Sequence, residues 1–383
     1  MAAPGTDPDL DDAARHLFLA LEADGGGAHP AAAGRAGRSA AGLGPGPLRD
    51  VLAAAQDAGF TLVTFHDGPL PAGPAADPVG RVEAGTRAAY AAVLTDRLGL
   101  APTLHAALVE PFHLATQLAT LDHAAHGRAA WVVGGANSPE ERATIGALPL
   151  APDALRREAL DVVDTARALW DSWEDDAVIK DQTTGRYLDS AKVHHIDFEG
   201  ASFTVKGPLI APRPPQGQVV VLAPDELEID GHADIVLVSR PGLAAIGERA
   251  RQARQAGAPL AFATVEFALD EGPDTSAAER LSRLDAAGPW PESGALRHVG
   301  PASGLVDLLR DLAEIVDGVR LVAADLSVDL PILTGQVLPA LAAAGVRRVA
   351  PRAEDTLRTT LGLPRPTNRF ALAAAPTSSR SAI

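Results

Sequence analysis

The residues of this chain that could do chemistry lie where short apolar runs end. An imidazole or a carboxylate at such a position can move a proton, and a guanidinium can hold a phosphate or a carboxylate. Each residue taken alone is more often a cap or a turn residue, so position by itself assigns no role. The candidates are His66, Asp67, His105, residues 131–135, residues 224–226, Ser239, Arg240 and Asp325.

Other catalytic patterns are poorly represented. His123 and His126 stand three residues apart on one predicted helix face, but no third ligand stands at metal-binding spacing. The chain contains no cysteine, no H-E-x-x-H and no G-x-S-x-G. We therefore expect no metal site, no thiolate chemistry and no hydrolase triad. The run Gly25 to Gly27 could cradle a phosphate, although a surface loop is the simpler interpretation.

The apolar runs predict the scaffold. Most are continuous rather than alternating, which is typical of parallel strands buried on both faces, and helix-period segments separate them. Eight strands that alternate with helices predict a closed (β/α)8 TIM barrel, whose site lies at the carboxyl ends of the strands. An open doubly wound sheet is the alternative, but no G-x-G-x-x-G follows a strand. The predicted strands are His16–Leu21, Phe60–Phe65, Leu100–His105, Ala129–Gly134, Gln218–Ala223, Asp234–Ser239, Leu260–Leu269 and Val319–Ala324.

One connection is much longer than the others. A helix N-capped by Asp153 ends in the acidic run Glu174–Asp176, and a long polar segment follows before the next apolar run. Loops of this length are usually functional, so we expect an active-site lid. Acid at a helix C-terminus opposes the helix dipole, which suggests basic partners elsewhere in the fold. We expect one domain over residues 1–375 with an insertion at 171–217, and a disordered tail at 376–383.

The charge balance excludes several partners. Asp and Glu number 49 against 33 Lys and Arg, which gives a formal net charge of −16. Nucleic acid and anionic membrane surfaces require clustered basic residues, so we expect neither as a partner. No apolar run is long enough to span a membrane, and the N-terminus shows no secretory pattern. The sequence therefore predicts a cytoplasmic protein.

Three separated segments, in matching order, carry a resemblance to a known family. Residues 169–216, Glu110–Trp131 and Leu357–Phe370 each resemble a block of the nitrilotriacetate monooxygenase-type branch of the bacterial luciferase-like flavin monooxygenases. The resemblance implies a luciferase-like barrel, usually a homodimer, that binds reduced FMN from a separate flavin reductase. It also implies oxidation of a small-molecule substrate by dioxygen, in which the protein orients the flavin and excludes water.

The resemblance further implies which residues would contact the cofactor. Asp67 matches an acidic residue after strand 2, and His105 takes the place of a small polar residue after strand 3. Trp131 is kept in strand 4, where Val132 replaces the family's asparagine. Arg156, on the following helix, could pair with the FMN phosphate. These five residues are the predicted cofactor-binding set, and no catalytic residue is assigned.

Two departures from the family pattern favour alternatives to that function. The Val-Thr-Ser at the end of strand 4 is replaced by residues 134–136, Gly-Gly-Ala, so a polar face toward the flavin is lost. After strand 5, Pro224 and four acids between residues 225 and 230 stand where the phosphate would lie, and their repulsion is expected to weaken FMN binding. The chain could then be a diverged homologue that acts as a non-catalytic partner subunit or binds another ligand. Binding of riboflavin or a deazaflavin is a further alternative.

Overall fold

Eight parallel strands form a closed barrel in the computed structural model, which describes residues 16–23, 26–32, 44–70 and 80–374. The barrel strands pair in chain order, and pairing of the last with the first closes the ring. The predicted barrel is confirmed, each strand lying within two residues of its expected bounds, and the open sheet is wrong. The strands are β1 (His16–Glu22), β2 (Leu62–Phe65), β3 (Gly99–His105), β4 (Ala130–Gly134), β5 (Val178–Asp181), β6 (Arg186–Leu188), β7 (Phe198–Glu199), β8 (Thr204–Val205), β9 (Val220–Pro224), β10 (Ile235–Val238), β11 (Leu260–Leu269), β12 (Leu296–Gly300), β13 (Gly318–Ala323) and β14 (Arg347–Arg348).

The ring consists of β1 to β4, β9 to β11 and β13. Strands β5 to β8 form two hairpins in the insertion, and β14 adds to the start of β1. Strand β12 is not among the predicted strands. It runs parallel to the second half of β11, outside the ring, because β11 is ten residues long and extends beyond its pairing with β10.

The helices begin and end at recognisable signals. The helix after β2 covers Ala84–Ala92, because Glu83 caps its start and the Thr95 hydroxyl bonds the Ala91 carbonyl near its end. Asp153 lies inside the first turn of its helix and is not the N-cap. The helices are α1 (Pro45–Asp57), α2 (Ala84–Ala92), α3 (Pro111–Ala124), α4 (Pro139–Ala143), α5 (Pro152–Asp171), α6 (Leu243–Gln255), α7 (Ala277–Asp285), α8 (Ala302–Leu312), α9 (Leu326–Ile332), α10 (Leu338–Ala343), α11 (Leu357–Thr360) and α12 (Arg369–Ala374).

Side chains on the barrel strands alternate between the lumen and the helix-covered outside. On β4, Trp131 belongs to the outer core beneath the helices, whereas Val132 belongs to the inner cluster. The amino ends of the strands are closed by Leu357, Leu361 and Leu363, from α11 and the turn that follows it. The amino ends are thus covered, and a barrel of this kind carries its site at the carboxyl ends of the strands.

The insertion lies at the amino ends of the strands and along α5, on the side opposite the expected site. Gln216, near its end, donates to Asp122 at 2.6 Å and to the carbonyl of Ala129 at 2.7 Å, immediately before β4. The backbone N–H of Ala201 donates to Asp161 on α5. A connection from a helix to the next barrel strand opens on the amino-terminal face, so the expectation of an active-site lid is wrong.

The acidic run at the end of α5 has basic partners, as its unfavourable position predicts. Arg365 and Arg213 hold the pKa of Asp175 below its usual range. The prediction of compensating basic groups is confirmed, and these contacts fasten the insertion to the C-terminal segment. The pairs are Glu174 with His194 at 2.8 Å, Asp175 with Arg213 at 2.9 Å and with Arg365 at 2.7 Å, and Asp176 with Lys192.

A long apolar helix follows β13. It comprises α9, a π-helical segment at residues 333–337 and α10, and Leu326–Ala343 is long and apolar enough to span a membrane by composition alone. Leu330, Leu333 and Leu341 are buried in the outer core. This packing is that of a core helix in a barrel, and the π segment follows Pro331, which removes one backbone donor.

Two expectations concern residues outside those that the structure describes. These are Gly25 of the glycine run and the tail at 376–383. Gly27 is described, and a Cβ at this residue would lie 2.5 Å from the carbonyl oxygen of Ala324. Its φ of +121° also disfavours any other residue. Packing of the loop against the end of β13 therefore accounts for Gly27 without a phosphate.

Candidate functional site

His105 ends β3 and bridges the loops that follow β2 and β4. Its Nε2 lies 3.2 Å from the carbonyl oxygen of Asp67, and the backbone N–H of Ala136 donates to its Nδ1 at 3.2 Å. These contacts favour the neutral tautomer that carries its hydrogen on Nε2. Burial lowers the pKa of His105, which also favours the neutral ring. His105 thus joins three strand ends as a fixed, uncharged group.

Two glycines make room for bulky neighbours at the end of β4. A Cβ on Gly134 would lie 2.3 Å from Nδ1 of His105, and a Cβ on Gly135 would lie 2.8 Å from Cδ2 of Leu227. Both distances are too short for the larger residues that the resemblance leads one to expect. The sizes of these residues are therefore coupled. His105 from β3 and Leu227 from the loop after β9 fill the space that the two glycines of β4 and its following loop leave open.

The loop after β9 is short, and within the described residues it contains no α-helix. Two single-turn 3-10 helices lead from β9 into β10. Asp225 is buried and its Oδ2 lies 2.7 Å from Arg240 and 3.4 Å from Arg249, while Asp230 accepts two hydrogen bonds from Arg249. Burial raises the pKa of Asp225, and Arg240 opposes the rise. Arginines thus pair with two of the four acids that are expected to repel a phosphate. The loop therefore repels a phosphate less strongly than its sequence alone suggests.

Arg156 connects the start of α5 to the same loop. Its Nε donates to the carbonyl of Glu228 at 2.9 Å, and Glu228 adopts a left-handed conformation with φ of +53°. The Arg156 side chain is exposed. Its guanidinium is therefore held near the mouth of the barrel by one contact and can still present its other nitrogens to an anion.

Asp67 orders the loop after β2. Its carboxylate accepts from the backbone N–H groups of Gly68 at 2.8 Å and Ala84 at 2.6 Å, and Arg81 lies 3.8 Å away. The same residue offers its carbonyl oxygen to His105. Asp67 therefore shapes the wall of the mouth through its loop, and both of its carboxylate oxygens are already engaged.

Trp131 and Val132 face opposite sides of β4. Trp131 is fully buried in the outer core, and its Nε1 donates to the carbonyl of Leu104 at 2.9 Å. This position does not support the expected contact of Trp131 with a cofactor, because the indole points away from the lumen. Val132 does face the lumen, where it packs in the inner cluster.

The other strand-end candidates have structural partners or lie in solvent. The Ser239 N–H donates to Asp225, and Asp325 caps α9 through the N–H and hydroxyl of Ser327. His66 is exposed at the mouth. Across the described part of the chain, no group of three His, Asp or Glu side chains could hold a metal ion.

The lumen has one apolar wall and one polar wall. Val132, Leu222 and Leu237, on β4, β9 and β10, form the apolar wall. The polar wall lies on other strands of the ring. Its residues alternate along the strands with inner-cluster residues such as Leu62 and Phe262, so their side chains also face the lumen. The polar wall comprises Glu22 on β1, Thr64 on β2, Thr264 and Glu266 on β11, and Arg320 on β13.

The charged residues of the polar wall form two ion pairs. Nη1 of Arg320 lies 3.7 Å from Oε2 of Glu22, and Arg297 reaches Glu266 at 2.6 Å. Arg297 comes from β12, and its guanidinium stacks 4.0 Å from the ring centroid of Trp290. The additional strand therefore supplies the second cation, and the two pairs together carry no net charge.

Three buried polar atoms of this wall have no hydrogen-bond partner among the described residues. They are Oγ1 of Thr64, Oγ1 of Thr264 and Nε of Arg320. Thr264 and Arg320 stand directly opposite each other in the register of β11 and β13. An unmade buried hydrogen bond costs about 1–3 kcal/mol. The polar wall is therefore the part of the lumen best suited to receive a polar ligand.

A search of strand ends alone does not find most of the polar wall, because all of its residues except Glu22 lie within the strands. A signal is nevertheless present in the sequence. Glu266 and Arg320 interrupt runs that are otherwise apolar, and Glu22 directly follows such a run. Helices cover the outer face of a barrel strand, so a charge within such a run is expected to face the lumen.

A family model described as luciferase-like monooxygenase matches residues 26–286. The chain belongs to the luciferase-like monooxygenase family. The resemblance carried by the three sequence segments is confirmed, and the barrel is the fold of this family's solved members. The long-chain alkane monooxygenase structure superposes with a TM-score of 0.78 at 20% identity, covering 91% of this chain and 95% of that one.

Two curated relatives match this chain to different extents. One is a subunit of pristinamycin IIA synthase from Streptomyces pristinaespiralis, which is 31% identical over 333 residues that cover 86% of this chain and 93% of that protein. The other, nitrilotriacetate monooxygenase component A of Aminobacter aminovorans, is 38% identical over 151 residues, which cover 39% of this chain and 33% of that protein. The match to the nitrilotriacetate enzyme thus spans about a third of its length.

Proposed function

We propose that this chain is the oxygenase component of a two-component flavin-dependent monooxygenase. It would oxidise a small organic substrate with dioxygen and with reduced FMN from a separate flavin reductase. The observation that carries the proposal is a barrel of this family in which apolar side chains face buried polar side chains without partners across the lumen. A cytoplasmic location and a homodimer form part of the proposal.

The residues of the lumen fit the ring of FMN better than the mouth fits its phosphate. Val132, Leu222 and Leu237 offer an apolar surface to the face of a planar ring. At the mouth, the loop after β9 offers no α-helix N-terminus to a phosphate, and Arg156 presents the exposed guanidinium. When bound, reduced FMN supplies the electrons with which dioxygen is activated. The chain's own part is to hold the ring, to orient the substrate and to exclude water.

Titration of the purified chain with FMN and with reduced FMN tests the proposal. We expect saturable changes in flavin absorbance and fluorescence, with a submillimolar dissociation constant for reduced FMN. Riboflavin and a deazaflavin, titrated in parallel, identify a preference for another flavin form. Failure of all four flavins to bind would overturn the proposal.

A pair of adjacent arginines gives a controlled test of the phosphate contact. Arg156→Met removes the guanidinium that lies beside Glu228, whereas Arg157→Met removes its exposed neighbour. We expect the first variant to bind FMN roughly tenfold more weakly while its affinity for riboflavin is unchanged, since one charge-assisted contact is lost. The second variant should bind both flavins like the wild type. Equal effects of the two substitutions would place the phosphate elsewhere.

A second candidate is a component of a heteromeric oxygenase whose flavin site lies in another chain. The relative matched over most of its length is named as a subunit, and that name favours this candidate. Between β9 and β10 the described chain has no α-helix whose N-terminus could bind the flavin phosphate, and this also favours the second candidate. Under this alternative the chain alone binds none of the flavins, and it gains a flavin-dependent activity only when a second oxygenase chain is added.

A further inference from the structure

We propose that the polar wall of the lumen binds a neutral carbonyl group of the substrate. The site would then select ketones, amides or lactams over carboxylates and amines. This inference rests on the proposed function and names the substrate class of the same site. Two atoms carry it, Oγ1 of Thr264 and Nε of Arg320, which belong to residues side by side on β11 and β13 and have no hydrogen-bond partner in the described chain.

The chemistry of these two atoms calls for an acceptor. Nε of an arginine can only donate a hydrogen bond, while a threonine hydroxyl can donate or accept. One carbonyl oxygen has two lone pairs and can accept from both groups at once. Thr64, on β2, adds a second hydroxyl without a partner among the described residues, and it could bond a second polar atom of the same molecule. An amine could bond the hydroxyls, but it would leave Nε of Arg320 without an acceptor.

The charge balance of the wall selects a neutral ligand. Arg320 lies beside Glu22, and Glu266 lies beside Arg297, so each charge already has a counterion. A carboxylate would add an unbalanced negative charge close to Glu22 and Glu266, and an ammonium group would add a positive charge next to Arg320. Neither charge would be compensated in a lumen with little water, and such charges are costly. A carbonyl supplies the acceptor without changing the charge.

The opposite wall, together with the flavin that the proposed function places on it, would hold the rest of such a molecule. Val132, Leu222 and Leu237 present only carbon atoms from their side chains to the lumen. With the flavin ring on this surface, where the proposed function places it, a compact carbon skeleton would lie between the ring and the polar wall, with its carbonyl toward Thr264 and Arg320. The site would thus recognise one polar end and one apolar end of an uncharged substrate.

Three ring-matched fragments test this selectivity by ligand-observed NMR. The probes are 2-pyrrolidone, which is a neutral lactam, pyrrolidine, which is protonated at neutral pH, and cyclopentanecarboxylate. We expect saturation transfer to 2-pyrrolidone only. Thr264→Val should weaken its binding roughly tenfold, because one hydrogen bond to the ligand is lost. The variant should be as stable as the wild type or more so, since this hydroxyl has no partner to lose in the folded chain.

Two further variants separate ligand binding from folding. Arg320→Lys keeps a cation near Glu22 but removes Nε, so 2-pyrrolidone should again bind roughly tenfold more weakly. Thr165→Val is the matched control: this buried hydroxyl bonds the Asp161 carbonyl at 2.7 Å on α5. The control should lose stability and keep its affinity for 2-pyrrolidone.

The outcomes distinguish this inference from the proposed function. Binding of charged fragments as tight as that of 2-pyrrolidone, or unchanged affinity in Thr264→Val, would overturn the carbonyl assignment. So would an equal loss of FMN affinity in Thr264→Val, because the wall would then belong to the flavin. Wild-type protein that binds FMN but not 2-pyrrolidone would leave the proposed function standing and refute the inference alone.

Discussion

Asp122 gives the stability of this fold a measurable pH dependence. Its carboxylate is fully buried on α3, where it accepts from the backbone N–H of Ala129 at 3.0 Å and from the side chain of Gln216 at 2.6 Å. Burial raises the pKa of Asp122 to about 6, although the two bonds lower it. The folded pKa thus lies above the unfolded one. The contribution to stability is fully present below the unfolded pKa and is lost as the pH rises through about 6.

The structure gives the size of this effect. A rise of roughly two pKa units corresponds to about 3 kcal/mol in the free energy of unfolding. Asp122→Asn abolishes the titration and keeps one oxygen to accept from Ala129 and Gln216. Its amide nitrogen would face the backbone N–H of Gln216, now 3.3 Å from Oδ2, and the loss of this weak bond costs about 1 kcal/mol. At neutral pH the variant should therefore be about 1–2 kcal/mol more stable than the wild type.

Urea unfolding followed by circular dichroism, at several values from about pH 4 to about pH 7.5, measures this difference. The difference between the two proteins isolates Asp122 from the other titrating groups. Asp153→Asn, an exposed change in the first turn of α5, serves as the control and should follow the wild type. Parallel pH profiles for wild type and Asp122→Asn would refute the raised pKa. If Asp122→Asn were less stable than the wild type at every pH, the charge of the carboxylate, and not only the geometry of its hydrogen bonds, would stabilise the contact with Gln216.

Three further substitutions test the packing of the mouth and of the insertion. Gly134→Ala should lower the free energy of unfolding by about 1–3 kcal/mol, because its new methyl group would contact His105. Adding His105→Ser should restore the stability. If thermal denaturation shows that the two losses add, the residues are not coupled. Trp131→Phe should cost about 1 kcal/mol and leave FMN affinity unchanged, whereas weaker binding would place the indole at the ligand. Arg213→Met leaves Asp171 without its two hydrogen bonds from that arginine, so we expect a loss of about 3–5 kcal/mol by urea unfolding. Its FMN affinity should not change, since this pair lies at the closed end of the barrel, and a lowered affinity would contradict that placement.

The barrel can be predicted from the sequence because its strands are buried on both faces and form continuous apolar runs. The predicted strand Leu260–Leu269 has the bounds that the structure shows. Strand β12 escapes prediction, because Leu296–Gly300 contains an arginine and a histidine and is only partly buried. The position of the insertion follows from connectivity, as a helix-to-strand connection of a barrel must lie at the amino ends. Its length suggests a lid, but length carries no information on which end of the barrel a loop covers.

The candidate site is predictable only in part. His105 can be found because it ends a strand, but its contacts with Gly134 and Ala136 depend on the pairing of β3 with β4. In the sequence the acids after β9 form an unpaired charge cluster, since Arg240 and Arg249 are separated from them along the chain. Charge along a loop predicts a local field only after its counterions from other elements are known.

The departures from the family pattern are compensated within this fold, and this bears on function. Gly134 and Gly135 would leave a gap if they stood alone, but His105 and Leu227 fill it. The polar group lost where Val132 replaces asparagine has counterparts across the lumen, on β1, β2, β11 and β13. A site that had merely decayed would gain nothing from keeping buried hydroxyls and an arginine Nε without partners, because each of them costs stability. Their presence is therefore better explained by a ligand that satisfies them, and it favours a redirected binding site over a lost one.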